Sequence, residues 1–180
     1  MSVFRRGLFI PFLSLLVFQE SSVYRNRQYQ FEVVMPKGEL TEYNSSYDVP
    51  FGKINFVRVS IITKQSNGII SYKNLQRVIS TKAVFKKGLD PNKAQTEFIE
   101  SVLAQNAIAA EDNGLKIASE SRKNYSDRIQ WDWILGNDSK VEHRRIIVKF
   151  GASCTISILS AKATFDTKRK DAFFNSFKFK

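Results

Sequence analysis

His143 and Cys154 are the only histidine and the only cysteine of the chain, and together they raise the question of a Cys–His nucleophile. Such a centre needs the imidazole beside the thiol, or beside a serine, with a carboxylate to orient it. The pattern argues against it. Cys154 alternates in register with Ile156 and Ile158 in "SCTISILSA", where a thiol serves as a small core hydrophobe. One His and one Cys would leave zinc to be held mostly by carboxylates, a poor donor set for that ion. The acids Glu111 and Asp112, and Asp138, stand beside turns, while Asp132 sits on the polar side of a strand, and solvation explains them all. Eight glycines supply neither a phosphate-cradling loop nor a dinucleotide fingerprint. The sequence therefore leads us to expect a non-enzymatic protein with no catalytic residue, cofactor or metal.

Binding chemistry is the stronger signal. Trp131 and Trp133 share one face of "RIQWDWILG", either as a platform for bases or sugars or as core. Lys and Arg number 28 against 17 Asp and Glu, a net charge of +11. From Lys140 onward, ten Lys and Arg face only Glu142, Asp166 and Asp171. Arg144, Arg145, Lys168, Arg169, Lys170 and Lys178 are accordingly the candidate binding residues. If they converge they form a face that attracts anionic partners; if they scatter they are a solvated surface.

The elements that must position these groups are read from periodicity. "MSVFRRGLFIPFLSLLVFQESS" has Arg5 and Arg6, an uncharged run from Leu8 to Phe18 and a polar exit, the layout of a secretory signal over residues 1–22. Its apolar run is shorter than the roughly 20 residues a spanning helix needs, and no cysteine follows it for a lipoprotein anchor. Residues 23–180 are then a single domain. "YQFEVVM" reads as a strand closed by "PKG", "ELTEYNSSYDVPFG" as a polar, turn-rich segment, "KINFVRVSIIT" as a strand and "KQSNG" as a turn. "IISYKNLQRVISTKAVF" is ambiguous between a strand with a loop and a short helix.

"LDPNKAQTEFIESVLAQNAIAAEDNG" is the clearest helix. Asp90 caps it, Pro91 fits its first position, and Asn113-Gly114 stops it. Ile99, Leu103, Ala107 and Ala110, with Phe98 and Val102 alongside, form its apolar stripe. "LKIASESRKNY" and "RIQWDWILGND" read as further strands. "RRIIVKF" and "SCTISILSAKATF" read as a hairpin turning at Gly151-Ala152, with Ile146, Val148 and Phe150, then Cys154, Ile156 and Ile158, pointing one way. "DTKRKDAFFNSF" reads as a terminal helix capped by Asp166 or Thr167, its phenylalanines docked on the sheet. The order of elements leads to an expected α+β fold, a central antiparallel sheet flanked by helices.

In "YQFEVVMPKG", "AQTEFIESVLAQ", "RRIIVKFGASCTISILSAK" and the closing "KDAFFNSFKF", the chain resembles the PsbP-like family, over about residues 29 to 180. Its end, Phe173-Phe174-Asn175-Ser176-Phe177-Lys178-Phe179, is similar to a phrase common in small exported bacterial members. The resemblance implies an α/β/α sandwich, a secreted or periplasmic protein of the bacterial envelope, and a binding or assembly role. It carries over no functional residue. The expected function is contact with an envelope or membrane-associated protein through the basic face. The alternative is electrostatic binding of polyanions: lipid headgroups, acidic glycans or nucleic acid.

Overall fold

The computed structural model of the chain describes residues 21–36, 38–64 and 73–179. Residues 1–20 of the expected signal, the turn in "KQSNG" beyond Lys64, and the opening of the ambiguous stretch lie outside the described residues. The elements are β1 (Ser21–Asn26), β2 (Phe31–Pro36), β3 (Glu39–Val49), β4 (Gly52–Lys64), β5 (Lys73–Phe85), α1 (Pro91–Glu111), β6 (Lys116–Asn124), β7 (Ile129–Gly136), β8 (Lys140–Lys149), β9 (Ala152–Ala161), α2 (Thr167–Ser176) and β10 (Lys178–Phe179), with a 3-10 turn at Lys162–Thr164. Seven strands form one antiparallel sheet in the order β3-β4-β5-β9-β8-β7-β6, and β1-β2-β10 form a second.

This corrects the expected fold class. With 58% of the described residues in strands and 23% in helices, the molecule is mainly β, not an α/β/α sandwich with helices as its outer layers. α1 covers one side of the large sheet. The other side is covered by the small sheet together with α2. The difference comes largely from segments whose composition hides a strand. "ELTEYNSSYDV" carries little apolar alternation because β3 is an edge strand, exposed along most of its length, and what holds it is eleven paired positions with β4, from Glu39–Ile62 to Val49–Gly52. β1 pairs with β2 from Ser21–Pro36 to Asn26–Phe31, so Ser21 and Ser22, assigned above to the signal, stand in a strand. The ambiguous stretch resolves as β5, a central strand between β4 and β9.

α1 follows its sequence signals. The Asp90 side chain accepts from the backbone N–H of Asn92 at 2.7 Å and of Lys93 at 3.3 Å, and Gly114 adopts φ +67 just past the end. Phe98, Val102 and Ala110 are buried, with Ile99, Leu103 and Ala107 packed alongside, against Trp131, Trp133, Leu135, Ile146 and Val148. On the opposite side, Phe31, Val33 and Met35 of β2 and Phe173 and Phe174 of α2 pack on Val57, Val59, Val78, Cys154, Ile156 and Ile158. Fully burying each such side chain contributes about 1.5 to 3 kcal/mol, so the sheet is held from both sides.

Two-sided burial explains a second correction. The β8–β9 hairpin closes with the Lys149–Ala152 pair, its turn residues being Phe150 and Gly151. The turn pair thus lies one residue earlier than the expected Gly151-Ala152; Gly151 supplies the positive φ (+62) at its second position, and Phe150 is left 64% exposed at the tip. In this register Ile147 opposes Cys154 and Ile146 opposes Thr155. Ile146 and Val148 therefore face α1, while Cys154, Ile156 and Ile158 face the small sheet. Alternation alone assigns no side when both are apolar.

Candidate functional site

Alternation along β8 separates the two arginines that the sequence places side by side. Arg144 turns to the α1 side, where it is 3% exposed and bonded to Glu142, also 3% exposed, at 2.9 Å. Its remaining donors reach the backbone carbonyl and side-chain oxygen of Asn106 on α1. The Arg144 guanidinium is thus a buried, satisfied cation on the face opposite the Arg145 guanidinium.

Arg145 turns to the α2 side. Its Nε donates to Asp132 Oδ1 at 2.6 Å, and its guanidinium lies 5.1 Å from the Phe174 ring centre. Asp132 also accepts from the Gln130 amide at 2.8 Å. The small sheet borders this end of the large one through β10, and between α2 with β10 and strands β6–β8 two adjoining hollows open, of about 300 and 250 Å3. Arg145 and Phe174 line both. The first also has Arg128, Gln130, Ile147, Phe177 and Phe179 in its walls. The second has Ser119, Ser121, Asp132, Ile134, His143 and Lys170.

The cations in this cleft and beside it are held by partners. Arg128 donates to Asp127 at 3.0 Å and lies 4.3 Å from the Tyr125 ring centre. Lys149 reaches the same Asp127 at 3.5 Å and lies 5.3 Å from the centre of the Phe179 ring. Lys170 pairs with Asp171 at 2.7 Å, and Lys178 with Glu32 at 3.2 Å. Lys168 is exposed on the first turn of α2. Arg169 is half-buried; burial lowers its pKa from the usual arginine value while Asp166 opposes the change. Of the six residues singled out in the sequence, Arg145 and Lys170 line the cleft, Arg144 also borders it but holds its guanidinium on the α1 side, and Lys168, Arg169 and Lys178 stand on the elements that bound it. Arg128, Lys149 and the aromatic walls were missed. The basic-aromatic alternation of "KDAFFNSFKF" was the signal for half of that wall; the contribution of β7 and its preceding turn had none.

The same cleft bears on nucleophilic chemistry. His143 and Asp132 occur together in it, offset by two residues on adjacent strands, since Asp132 opposes Arg145 and Ile134 opposes His143. Asp132 is engaged by Arg145 and Gln130, and the imidazole stacks on Phe165 at 4.6 Å between ring centres. Burial lowers the His143 pKa from its usual value, Lys170 lowers it further, and Asp171 opposes. Cys154 is fully buried, its thiol pKa pushed well up by desolvation. His143 pairs with Ile158, four residues from Cys154 along β9, roughly 13 Å at strand rise. Trp131 and Trp133, each 4% exposed, are core. Among the described residues no group of three or more His, Cys, Asp or Glu is placed to hold a metal ion.

No family model matches the chain, and no curated protein matches it.

Proposed function

We propose that the protein is a non-enzymatic binding module whose α2-side cleft takes a segment of a partner protein. One observation carries this reading: the cations in and beside the cleft are already tied to carboxylates and laid on aromatic rings, with Arg145 of the lining between Asp132 and Phe174 and the neighbouring Lys149 between Asp127 and the wall residue Phe179. A surface of paired arginine and phenylalanine has the composition of a protein-contact centre. A polyanion site needs unpaired cations, because its affinity comes from counterions released on neutralising phosphates or sulfates. The net charge of +11 then acts on encounter rate and partner choice more than on the bound state.

The setting proposed is the bacterial envelope, with an envelope or membrane-associated protein as partner. It rests on the layout of residues 1–22 and on the likeness of the C-terminal phrase to exported PsbP-like proteins.

The test is capture by the tagged full chain from an envelope extract at about 0.1 M and about 0.5 M salt, a change that shortens the screening length by about half. The expected result is a defined protein retained at both concentrations and lost with Arg145→Ala or Phe179→Ala. Retention at low salt only, with lipid or nucleic acid in the eluate, would overturn the reading in favour of polyanion binding.

A further inference from the structure

The α1 side of the large sheet holds a second feature, independent of the cleft. Beside α1 a cavity of about 150 Å3 opens over β4, β5 and β9. Tyr47, Phe56, Ile79 and Val102 form an apolar wall. The Phe56 ring stands between Tyr43 and Tyr47, at 5.9 and 6.2 Å between centres. Arg58 lines the same cavity, with its guanidinium 5.8 Å from the Tyr43 ring centre.

Beside the cavity three arginines, Arg58, Arg77 and Arg144, share one carboxylate, Glu142. Arg58 opposes Ile79, and Arg77 opposes Ser60, so the two arginines are diagonal neighbours on one face. Arg77 and Arg144 flank Ser157 of β9 on that face. Glu142 acts on this group as its carboxylate, and Arg144 already bonds it at 2.9 Å. Arg77 Nε is buried and has no acceptor among the described residues. Burial draws the Arg77 pKa below the usual arginine value, with Glu142 opposing and Arg58 and Arg144 adding to the effect. Arg77 neighbours the cavity through Arg58, which is the cation in its lining, and a guanidinium beside an apolar wall is matched by a ligand with an acceptor at one end and hydrocarbon at the other.

We propose that this cavity binds a small carboxylate bearing an apolar ring or a short branched chain, its body against Phe56 and Val102 and its charge on Arg58, with Arg77 adjoining. A cavity of this volume is of a size that admits one benzene ring, which bounds the ligand. Inorganic phosphate would leave the apolar wall unused. An alcohol of the same shape would leave the guanidinium groups uncompensated.

Benzoate, benzyl alcohol and inorganic phosphate should each be titrated into the full chain, following the Ile79 and Val102 methyl resonances. Benzoate is expected to bind and to shift both methyls, with benzyl alcohol about tenfold weaker or more, the usual size of a charge-assisted hydrogen bond. Arg58 is exposed, so Arg58→Gln should leave the fold intact and weaken benzoate by about tenfold. Ala109→Phe should fill the cavity and block it. Benzoate that leaves both methyls unmoved, binds no better than benzyl alcohol, or binds Arg58→Gln as tightly as the parent would overturn the proposal. Capture of a partner by the cleft on the other face is read separately.

Discussion

Glu142 and Arg144 are the pair in which one residue change should cost most for its size. Both are almost fully buried at 2.9 Å, where the mutual attraction roughly offsets the cost of taking two charges out of water. Glu142→Gln leaves the Arg144 guanidinium in the interior without a counter-charge, and should destabilise by about 3 to 5 kcal/mol in urea unfolding. The double change Glu142→Leu with Arg144→Met should recover most of that loss. A double variant as unstable as the single would show that the pair itself, and not the orphaned charge, carries the energy. His143 gives a prediction with a sign. Its folded pKa lies below its ordinary value through burial and Lys170, against Asp171, so at mildly acid pH the unfolded chain binds more protons than the folded one. Its contribution is therefore complete above about pH 6.5 and is lost as pH falls through the folded pKa. The parent should lose more stability between about pH 7.5 and pH 5 than His143→Gln, by thermal melting in matched buffers; equal losses would assign the acid sensitivity to other groups. Residue identity made these centres visible in the sequence, since a lone His and a lone Cys draw the eye. It did not show that Arg144 and Arg145 part company, because that depends on which side of β8 each occupies.

At the scale of elements, what was legible is what carries its own punctuation. α1 is announced by Asp90-Pro91 and closed by Asn113-Gly114, and α2 by Asp166, whose Oδ1 accepts from Arg169 N–H at 3.1 Å. β3 has no such marks, and its Ser, Asn and Glu residues reflect a solvated edge. Its register depends on β4 and on the turn at Gly52. There a Cβ would stand 2.1 Å from the Val84 carbonyl oxygen at φ +153, so only glycine lets β4 start against β5. Gly52→Ala should destabilise by about 3 kcal/mol or more through this clash, whereas Asp90→Ala, the loss of one cap, should cost about 1 kcal/mol. Equilibrium unfolding separates the two; equal effects would mean that the chain around Gly52 shifts to admit the methyl. The terminal helix adds a graded pair. Phe173 is 4% exposed, so Phe173→Ala should cost roughly 3 to 5 kcal/mol, and Phe177→Ala, half-buried at the helix end, clearly less.

Over the whole molecule, the large sheet presents two chemically distinct faces, and that division decides how charge acts. The cations in and around the cleft are neutralised locally by Asp127, Asp132, Asp171 and Glu32, yet the chain as a whole carries +11. Local pairs at these distances, between partly exposed groups, contribute little each, while the unbalanced charge repels itself throughout the compact state. The cleft was illegible in the sequence for the same reason that it balances: its acids come from β2, β7, the turn before β7 and α2, brought together only by two sheets. The two contributions respond oppositely to salt. Screening weakens the pairs, which lowers stability, and weakens the long-range repulsion, which raises it. With so large an excess, repulsion should dominate, and the melting temperature should rise as salt increases from about 0.02 to 0.2 M, over which the screening length falls from roughly 20 to 7 Å. A fall over that range would mean that the ion pairs outweigh the excess charge, making the cleft a stabilising network and its arginines poor candidates for release to a partner.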